Sequence, residues 1–348
     1  MTERLIKDLR PEDVLEEDVY KGNALALKKG MVLTKEWIDK LQRWGIEKVE
    51  VHQAGEAAEH NQEGKQLSDQ ELKRLFLDNV IGLGNEYRFG FALNDLRRYE
   101  WLENMFCSVM KMPKVKTLMD KIKEWDLYTY QHSFDVFILG TLLAYELDFP
   151  NMREIAVGCL LHDVGKLKVP QEILWKNGAL NGQEMGIVQA HTLHGYTLLK
   201  EWEFSERVAL MALDHHERLN GRGYPRALDE EKIQELARLI GVVDIFSALS
   251  LDRPYREALS PHKALRIIVN EESVDMNYVA RLCESLEIFP TGATVELSDD
   301  RIATVIKIDD KLPTFPLLKE EGTSKVFYVP TNRKLRIRRM LVRQQAGD

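Results

Sequence analysis

The chain has 348 residues, of which 44% are hydrophobic and 30% charged, so it can bury a substantial core and form two or three domains. Its net charge of −8 disfavours a general binder of nucleic acids or membrane surfaces, although an anionic substrate would still need local basic residues. Three cysteines without paired spacing exclude a disulfide framework and fit a reducing cytoplasm, where we expect the protein to reside.

No segment predicts membrane insertion or secretion. The longest apolar run, residues 136–145, is flanked by Asp135 and Glu146 and is too short to span a bilayer. The polar N-terminus lacks the apolar centre of a signal peptide. We therefore expect no membrane partner.

Residues 1–53 predict a small α/β module. Strands are expected at 24–27 and 48–51, with a helix between them that begins near Thr34. The residues that this helix should bury are Trp37, Ile38, Leu41 and Trp44. Residues 54–66 are polar and predict a linker to the next domain.

Helical patterns dominate residues 67–290. Ser68 and Glu71 form a capping-box pattern, which predicts the start of a helix. The buried face of this helix should contain Leu72, Leu75, Phe76 and Val80. We therefore expect a mainly α fold over this stretch.

A β-rich extension is predicted at 291–348, because the apolar period changes from helical to two after Pro290. Strands are expected at 294–297, 301–308, 324–329 and 333–343. In the last of these, apolar residues alternate with arginines, which predicts one buried and one solvated strand face.

Histidines and aspartates recur where helical periodicity directs them toward the core. His162 lies on the apolar face of Ile155, His215 ends a second apolar face, and Asp244 follows Ile240 by one turn on a third. A buried carboxylate is costly unless it is paired or bound to a metal, and the face of Asp244 carries no lysine or arginine. A hydrogen-bonded core residue is the alternative for any single histidine, but their number favours a di-metal centre.

The run HHERLNGRGYP, residues 215–225, places two adjacent histidines before a turn rich in glycine. Adjacent residues on a helix point about 100° apart, so His215 and His216 should serve different roles or different ions. Gly221 and Gly223 permit backbone conformations closed to other residues, which would leave Tyr224 presented at the end of the turn. An ordinary surface turn is the alternative, but its position directly after the histidine pair favours a site.

Residues 128–290 resemble an HD-GYP domain, the cyclic di-GMP phosphodiesterase branch of the bacterial HD metal-dependent phosphohydrolases. The resemblance rests on the HD-x-GK motif at 162–166, on the histidine pair with GYP at 215–225, on Asp244, and on DRPYR at 252–256. It implies an HD-type helical bundle with metal ligands at His132, His162, Asp163, His191, His215, His216 and Asp244. It also implies that the substrate faces Lys166, Tyr224, Arg253 and Arg256.

The resemblance implies hydrolysis of cyclic di-GMP in bacterial signalling, with either pGpG or GMP as the final product. Two divalent ions would activate a bridging hydroxide, and mixed imidazole and carboxylate ligands favour iron or manganese. Asp163 is the expected bridge, because a carboxylate has two oxygens and an imidazole offers one lone pair to one ion. Lys166 would place its ammonium on a phosphate oxygen. Asp163 and Lys166 are therefore the predicted catalytic residues.

The chain departs from the family pattern at two positions of interest. Tyr128 stands where some members have a glutamate that binds a third metal, so we expect two ions. Ser247 stands where the family usually has an aspartate, which keeps open a catalytically weak metal- and dinucleotide-binding scaffold. An HD phosphohydrolase that acts on another nucleotide is a further alternative.

The remaining histidines are not expected to belong to the site. His52 and His60 are predicted to be scattered surface residues, and His262 is expected in the first turn of a surface helix. His194 follows His191 by three residues and is a weaker ligand candidate. The N-terminal module resembles one that precedes HD-GYP domains in bacterial proteins, where a regulatory role or homodimer formation would be its expected contribution.

Overall fold

The structure is a computed structural model. It describes residues 2–11, 13–17, 19–21, 24–27, 33, 37–38, 41–42, 44–53, 67–83, 86–90, 92–93, 95–176, 178–252, 257–271, 273–309, 312–329 and 335–341. The chain divides into two compact units, Met1–Lys65 and Gln66–Asp348. The predicted linker lies outside the described residues.

The first unit is a small α/β module, as predicted. Its described strands are β1 (Thr2–Leu5), β2 (Asp13–Leu15), β3 (Val19–Lys21), β4 (Ala24–Leu27) and β5 (Lys48–Gln53). They form an antiparallel sheet in the order β1-β5-β2 and a separate β3-β4 pair. Leu41 is helical and fully buried, with Trp37 packed against the same small core. Thr34, the predicted start of that helix, lies outside the described residues.

The second unit is mainly helical, which confirms the predicted fold class. Its described helices are α1 (Asp69–Gly82), α2 (Leu96–Met110), α3 (Pro113–Trp125), α4 (Leu127–Glu146), α5 (Met152–Leu161), α6 (Gln171–Leu174), α7 (Gly182–Gln189), α8 (His191–Glu201), α9 (Glu206–Asp214), α10 (Glu235–Ser250), α11 (Pro261–Val269) and α12 (Met276–Leu286). The predicted capping box at the start of α1 is confirmed, because Ser68 Oγ accepts from Glu71 N and the Glu71 carboxylate accepts from Ser68 N. Short 3₁₀ helices cover Glu86–Phe89, Val164–Lys168 and Glu230–Lys232.

Helix α4 lies at the centre of the bundle. Every residue from 132 to 144 is buried, because its neighbours α5 and α10 cover it on several sides. Apart from His132, Ser133, Asp135 and Thr141, these residues are apolar, as burial on all sides favours. Phe134 and Phe106 of α2 pack edge to face with ring centroids 5.4 Å apart. The start of α4, where His132 lies, is thereby held in the interior of the domain.

The C-terminal strands form one antiparallel sheet. Its strands are β6 (Thr294–Leu297), β7 (Ile302–Asp309), β8 (Leu312–Glu320), β9 (Val326–Tyr328) and β10 (Ile337–Leu341), in the order β10-β6-β7-β8-β9. The sequence pattern missed β8, because Pro313 and Pro316 interrupt it and proline is rare inside strands. Val295, Val305 and Leu318 belong to the same hydrophobic core as the helices.

One expectation about local structure is corrected. His262 does lie in the first turn of α11, but its side chain is buried rather than on a surface, because α11 packs against α10 and α12. The predicted alternation near the C-terminus is confirmed for Leu335 and Ile337, which pack against the core, and for Arg336 and Arg338, which are exposed. It ends at Arg339, where the register of β10 shifts. Within the described part of the chain, no helix combines the length and the apolar character needed to cross a bilayer.

Candidate metal centre

The seven predicted ligands converge from different ends and faces of the bundle. His132 lies in the second turn of α4, and Asp244 lies in the middle of α10. The others stand at helix ends, with His162 and Asp163 after α5, His191 at the start of α8, and His215 and His216 after α9. These seven side chains, all largely buried, are called the His/Asp cluster below.

Asp163 lies between two groups of imidazoles. Its Oδ1 is 3.2 Å from His191 Nε2 and 3.8 Å from His215 Nε2. Its Oδ2 is 3.5 Å from His132 Nε2 and 3.4 Å from His162 Nε2. The potential ligand atoms of each group, with His216 in the first, lie within 4.8 Å of one another. Each carboxylate oxygen thus faces its own group, as a carboxylate that bridges two cations would.

Asp244 also spans the cluster. Its Oδ1 is 2.9 Å from His132 Nε2, and its Oδ2 is 3.7 Å from His216 Nδ1. His215 and His216 were expected to point in different directions, as adjacent residues on a helix do, but neither lies within α9. Because α9 ends at Asp214, their ring centroids are only 4.0 Å apart and both reach the same cluster.

Backbone carbonyls determine the tautomers of three histidines. His162, His191 and His215 each place Nδ1 within 3.0 Å of the carbonyl oxygen three residues earlier. A carbonyl can only accept, so Nδ1 carries the hydrogen in each ring. In the neutral ring Nε2 then offers a lone pair to the centre of the cluster. This is the arrangement by which a metal-binding histidine is held from behind.

Burial keeps two of these rings neutral. It lowers the pKa of His191 to about 4, although Asp163 opposes the shift, and it lowers the pKa of His215 well below its usual range. The lone pair of His191 Nε2 therefore faces Asp163 Oδ1, which is buried without a hydrogen-bond partner among the described residues. Two acceptors in contact repel each other unless a cation lies between them. The donor set thus fits divalent metal ions.

The carboxylates of the cluster stay ionised. Burial raises the pKa of Asp163, but Lys166 and then His162 outweigh it and hold the pKa well below its usual range. Burial likewise raises the pKa of Asp244, and the hydrogen-bond contact with His132 and the electrostatic interaction with His216 outweigh it and hold the pKa well below its usual range. Both groups therefore offer anionic oxygens to a cation at neutral pH.

Lys166 lies beside the cluster on the Val164–Lys168 3₁₀ helix rather than on a continuation of α5. Its Nζ donates to Asp163 Oδ2 at 2.6 Å, and its side chain is 18% exposed. Burial lowers the pKa of Lys166, but Asp163 outweighs burial and raises it. The ammonium is therefore a permanent positive charge at the edge of the cluster.

The GYP segment covers the His216 side of the cluster. The Tyr224 ring stacks on His216, with centroids 4.6 Å apart and planes 28° apart. Gly221 has a φ of +68°, and a side chain at Gly223 would collide with the backbone of Glu217. The predicted special backbone conformation is confirmed for Gly221, whereas Gly223 is required because there is no space for a side chain.

Two carboxylates that flank the histidine pair hold this segment in place. Glu217 accepts from the backbone N–H groups of Arg226 at 2.7 Å and Leu228 at 2.9 Å. Asp214, which is fully buried, accepts from Arg226 Nε at 3.1 Å. The sequence analysis did not predict these interactions of Asp214 and Glu217. The signal available in the sequence was the presence of a carboxylate on each side of the histidine pair.

Comparison with known proteins agrees with this geometry. The profile of the HD domain family matches residues 136–277. A cyclic di-GMP phosphodiesterase of Pseudomonas aeruginosa is 33% identical over 232 residues, which are 66% of this chain and 56% of that protein. A cyclic di-GMP phosphodiesterase response regulator of Xanthomonas campestris is 42% identical over 117 residues, 33% of this chain and 31% of that protein.

This chain is an HD-GYP domain protein. A 3'3'-cGAMP-specific phosphodiesterase of Vibrio cholerae is also similar, at 38% identity over 171 residues, 48% of this chain and 37% of that protein. The chain spans less than two thirds of the length of each of these three relatives.

Two further residues lie beside His132 in this HD-GYP protein. Ser247 Oγ is 2.9 Å from His132 Nδ1. The serine hydroxyl is thus the Nδ1 partner of His132, whereas a backbone carbonyl is the Nδ1 partner of His162, His191 and His215. The Tyr128 ring lies parallel to the His132 ring at a centroid distance of 6.1 Å. Helical spacing could have predicted the Tyr128 contact, since Tyr128 precedes His132 by four residues on the same helix. The Ser247 contact joins α10 to α4 and depends on how the two helices pack.

Some predicted site residues are not part of the cluster. His194 is exposed and belongs to neither group of potential ligands. The proposed substrate arginines, Arg253 and Arg256, lie outside the described residues, as does His60. His52 lies in β5 of the first unit. The roles of both arginines stay predictions.

Proposed function

We propose that this chain is a metal-dependent phosphodiesterase that hydrolyses cyclic di-GMP to pGpG, with GMP as the alternative final product. The observation that carries the proposal is Asp163, whose two oxygens face two separate groups of imidazoles. Two similar proteins, at 33% and 42% identity, are named cyclic di-GMP phosphodiesterases, which supports this substrate.

The proposed cofactor is a pair of divalent ions. His191, His215 and His216 would hold one ion and His132 and His162 the other, with Asp163 shared and Asp244 completing the site. Iron or manganese suits this mixture of imidazole and carboxylate better than magnesium, which prefers oxygen donors. Such a pair supplies a nucleophilic water at neutral pH and withdraws charge from the phosphoryl oxygens.

The residues of the chain position the phosphodiester and stabilise its charge. Lys166 is protonated and sits beside Asp163, so its ammonium can donate to a non-bridging phosphate oxygen on which negative charge increases during hydrolysis. Tyr224 covers the His216 side of the cluster and limits water there. Arg253 and Arg256 would hold the second phosphate or a guanine edge.

A different cyclic dinucleotide is the second candidate substrate. The similarity at 38% identity to a protein named as a 3'3'-cGAMP-specific phosphodiesterase favours it. The two candidates share the phosphodiester chemistry and differ in one base.

The test compares turnover of both cyclic dinucleotides by protein purified without oxygen, with metal content measured on the same samples. His191→Ala should lose at least one ion and nearly all turnover. The matched control is His194→Ala, an exposed histidine three residues away, which should keep both. Wild-type protein that holds its metals but hydrolyses neither dinucleotide would refute the enzyme proposal and favour a binding scaffold. Three ions per chain would contradict the proposed pair.

A further inference from the structure

Tyr128 has a place in the site that the proposed chemistry does not use. It is the second residue of α4 and lies one helical turn before His132, on the same face. Its ring is parallel to the His132 imidazole, with planes 8° apart and centroids 6.1 Å apart. The tyrosine is partly exposed, whereas His132 is buried. The ring therefore stands at the boundary between the cluster and solvent.

The first turn of α4 is held in place from outside the helix. Asp126, its N-cap residue, accepts from Thr129 N at 2.8 Å and from Trp175 Nε1 at 3.1 Å. Gln171 of α6 donates to the Trp125 carbonyl at 2.6 Å. These bonds fix the backbone beneath Tyr128. A ring that is already fixed loses little freedom when a ligand packs on it.

Tyr128 and Tyr224 lie on different parts of the cluster. Tyr128 stacks on His132, which belongs to the second imidazole group, and Tyr224 stacks on His216, which belongs to the first. Each group of imidazoles is thus accompanied by a partly exposed aromatic ring.

A cyclic dinucleotide carries two flat bases on either side of its phosphodiesters. Aromatic side chains bind bases by stacking, which tolerates any base because every base has a π-face. Lys166, beside Asp163, would meanwhile contact a phosphate.

We propose that Tyr128 is a substrate-binding residue on whose ring one nucleobase stacks, so that the site prefers base-bearing phosphodiesters over those without bases. This inference rests on the proposed phosphodiesterase function.

The test replaces Tyr128 by leucine, which keeps apolar bulk but removes the π-face, and by phenylalanine, which keeps the ring. Each variant is assayed with cyclic di-GMP and with methyl p-nitrophenyl phosphate, a phosphodiester without a base. For Tyr128→Leu, kcat/KM for cyclic di-GMP should fall about tenfold relative to that for the small ester, equivalent to about 1.4 kcal/mol. The loss should appear mainly in KM, and Tyr128→Phe should recover most of it.

Tyr196→Leu is the matched control, since Tyr196 is a partly exposed tyrosine of α8 that bonds to Glu206. It should leave the ratio between the two substrates unchanged. If Tyr128→Leu lowers the hydrolysis of both substrates equally, or of neither, the stacking role is wrong. If wild-type protein hydrolyses only the small ester, the proposed substrate is wrong, and so is the stacking role built on it.

Discussion

Replacing Gly165 of the HD-x-GK motif with alanine would place a methyl group where the chain has no room for one. A Cβ atom at this position would be 1.9 Å from the carbonyl oxygen of His191 and 2.4 Å from the backbone nitrogen of Gly195. Both neighbours are backbone atoms of α8, which cannot rotate away as a side chain can. The 3₁₀ helix that carries Lys166 and the start of α8 must therefore move apart.

The required movement is about 1 Å, because a Cβ atom needs about 3.0 Å from such atoms. It would pull His191 away from Asp163, whose contact at 3.2 Å joins these two segments across the cluster. A misplacement of about 1 Å in an active site can lower the rate about 10²-fold. Overpacking should also lower the free energy of unfolding by about 1–3 kcal/mol.

The assay measures kcat for cyclic di-GMP, metal content and thermal unfolding on the same preparation. Gly165→Ala should lose about 10²-fold in kcat, release part of the metal and unfold at lower temperature. The matched control is Gly186→Ala on α7, where an added Cβ would meet nothing within 4 Å. It should keep turnover and metal, and it should stabilise the fold by about 0.5–1 kcal/mol, because alanine is the better helix former. A Gly165→Ala protein with normal metal content and normal kcat would refute this account of the glycine.

Three further substitutions test the charge of Lys166, the role of Arg226 in substrate binding and the support that Ser247 gives to His132. Lys166→Ala should lower kcat about 10²-fold or more with metal content retained, because it removes one fixed positive charge. A near-normal kcat would show that Lys166 does not stabilise the charge on the phosphate. Arg226→Ala releases the segment after Tyr224 from Asp214 and should raise KM about tenfold in steady-state assays while metal content stays intact; an unchanged KM would show that Glu217 alone holds the segment. Ser247→Ala removes the partner of His132 Nδ1 and should weaken metal retention about 10–100-fold in chelator competition, which equal retention would contradict.

The sequence by itself determined which residues could form the centre. Helical periodicity is local, so His162, His215 and Asp244 could be directed inward without knowledge of their neighbours. The capping box at Ser68 and the turn at Gly221 were also readable, because both depend on residues close together in the chain. Motif spacing then linked the histidines and aspartates to one family.

Only the tertiary structure decided how these residues meet. That Asp163 faces two groups of imidazoles, and that Ser247 stands behind His132, depends on how α4, α5 and α10 pack. The burial of His262 likewise follows from the packing of α11, although its local pattern resembles a surface helix. Such contacts join residues far apart in the chain, and their free energy comes from burying complementary faces that no local pattern specifies.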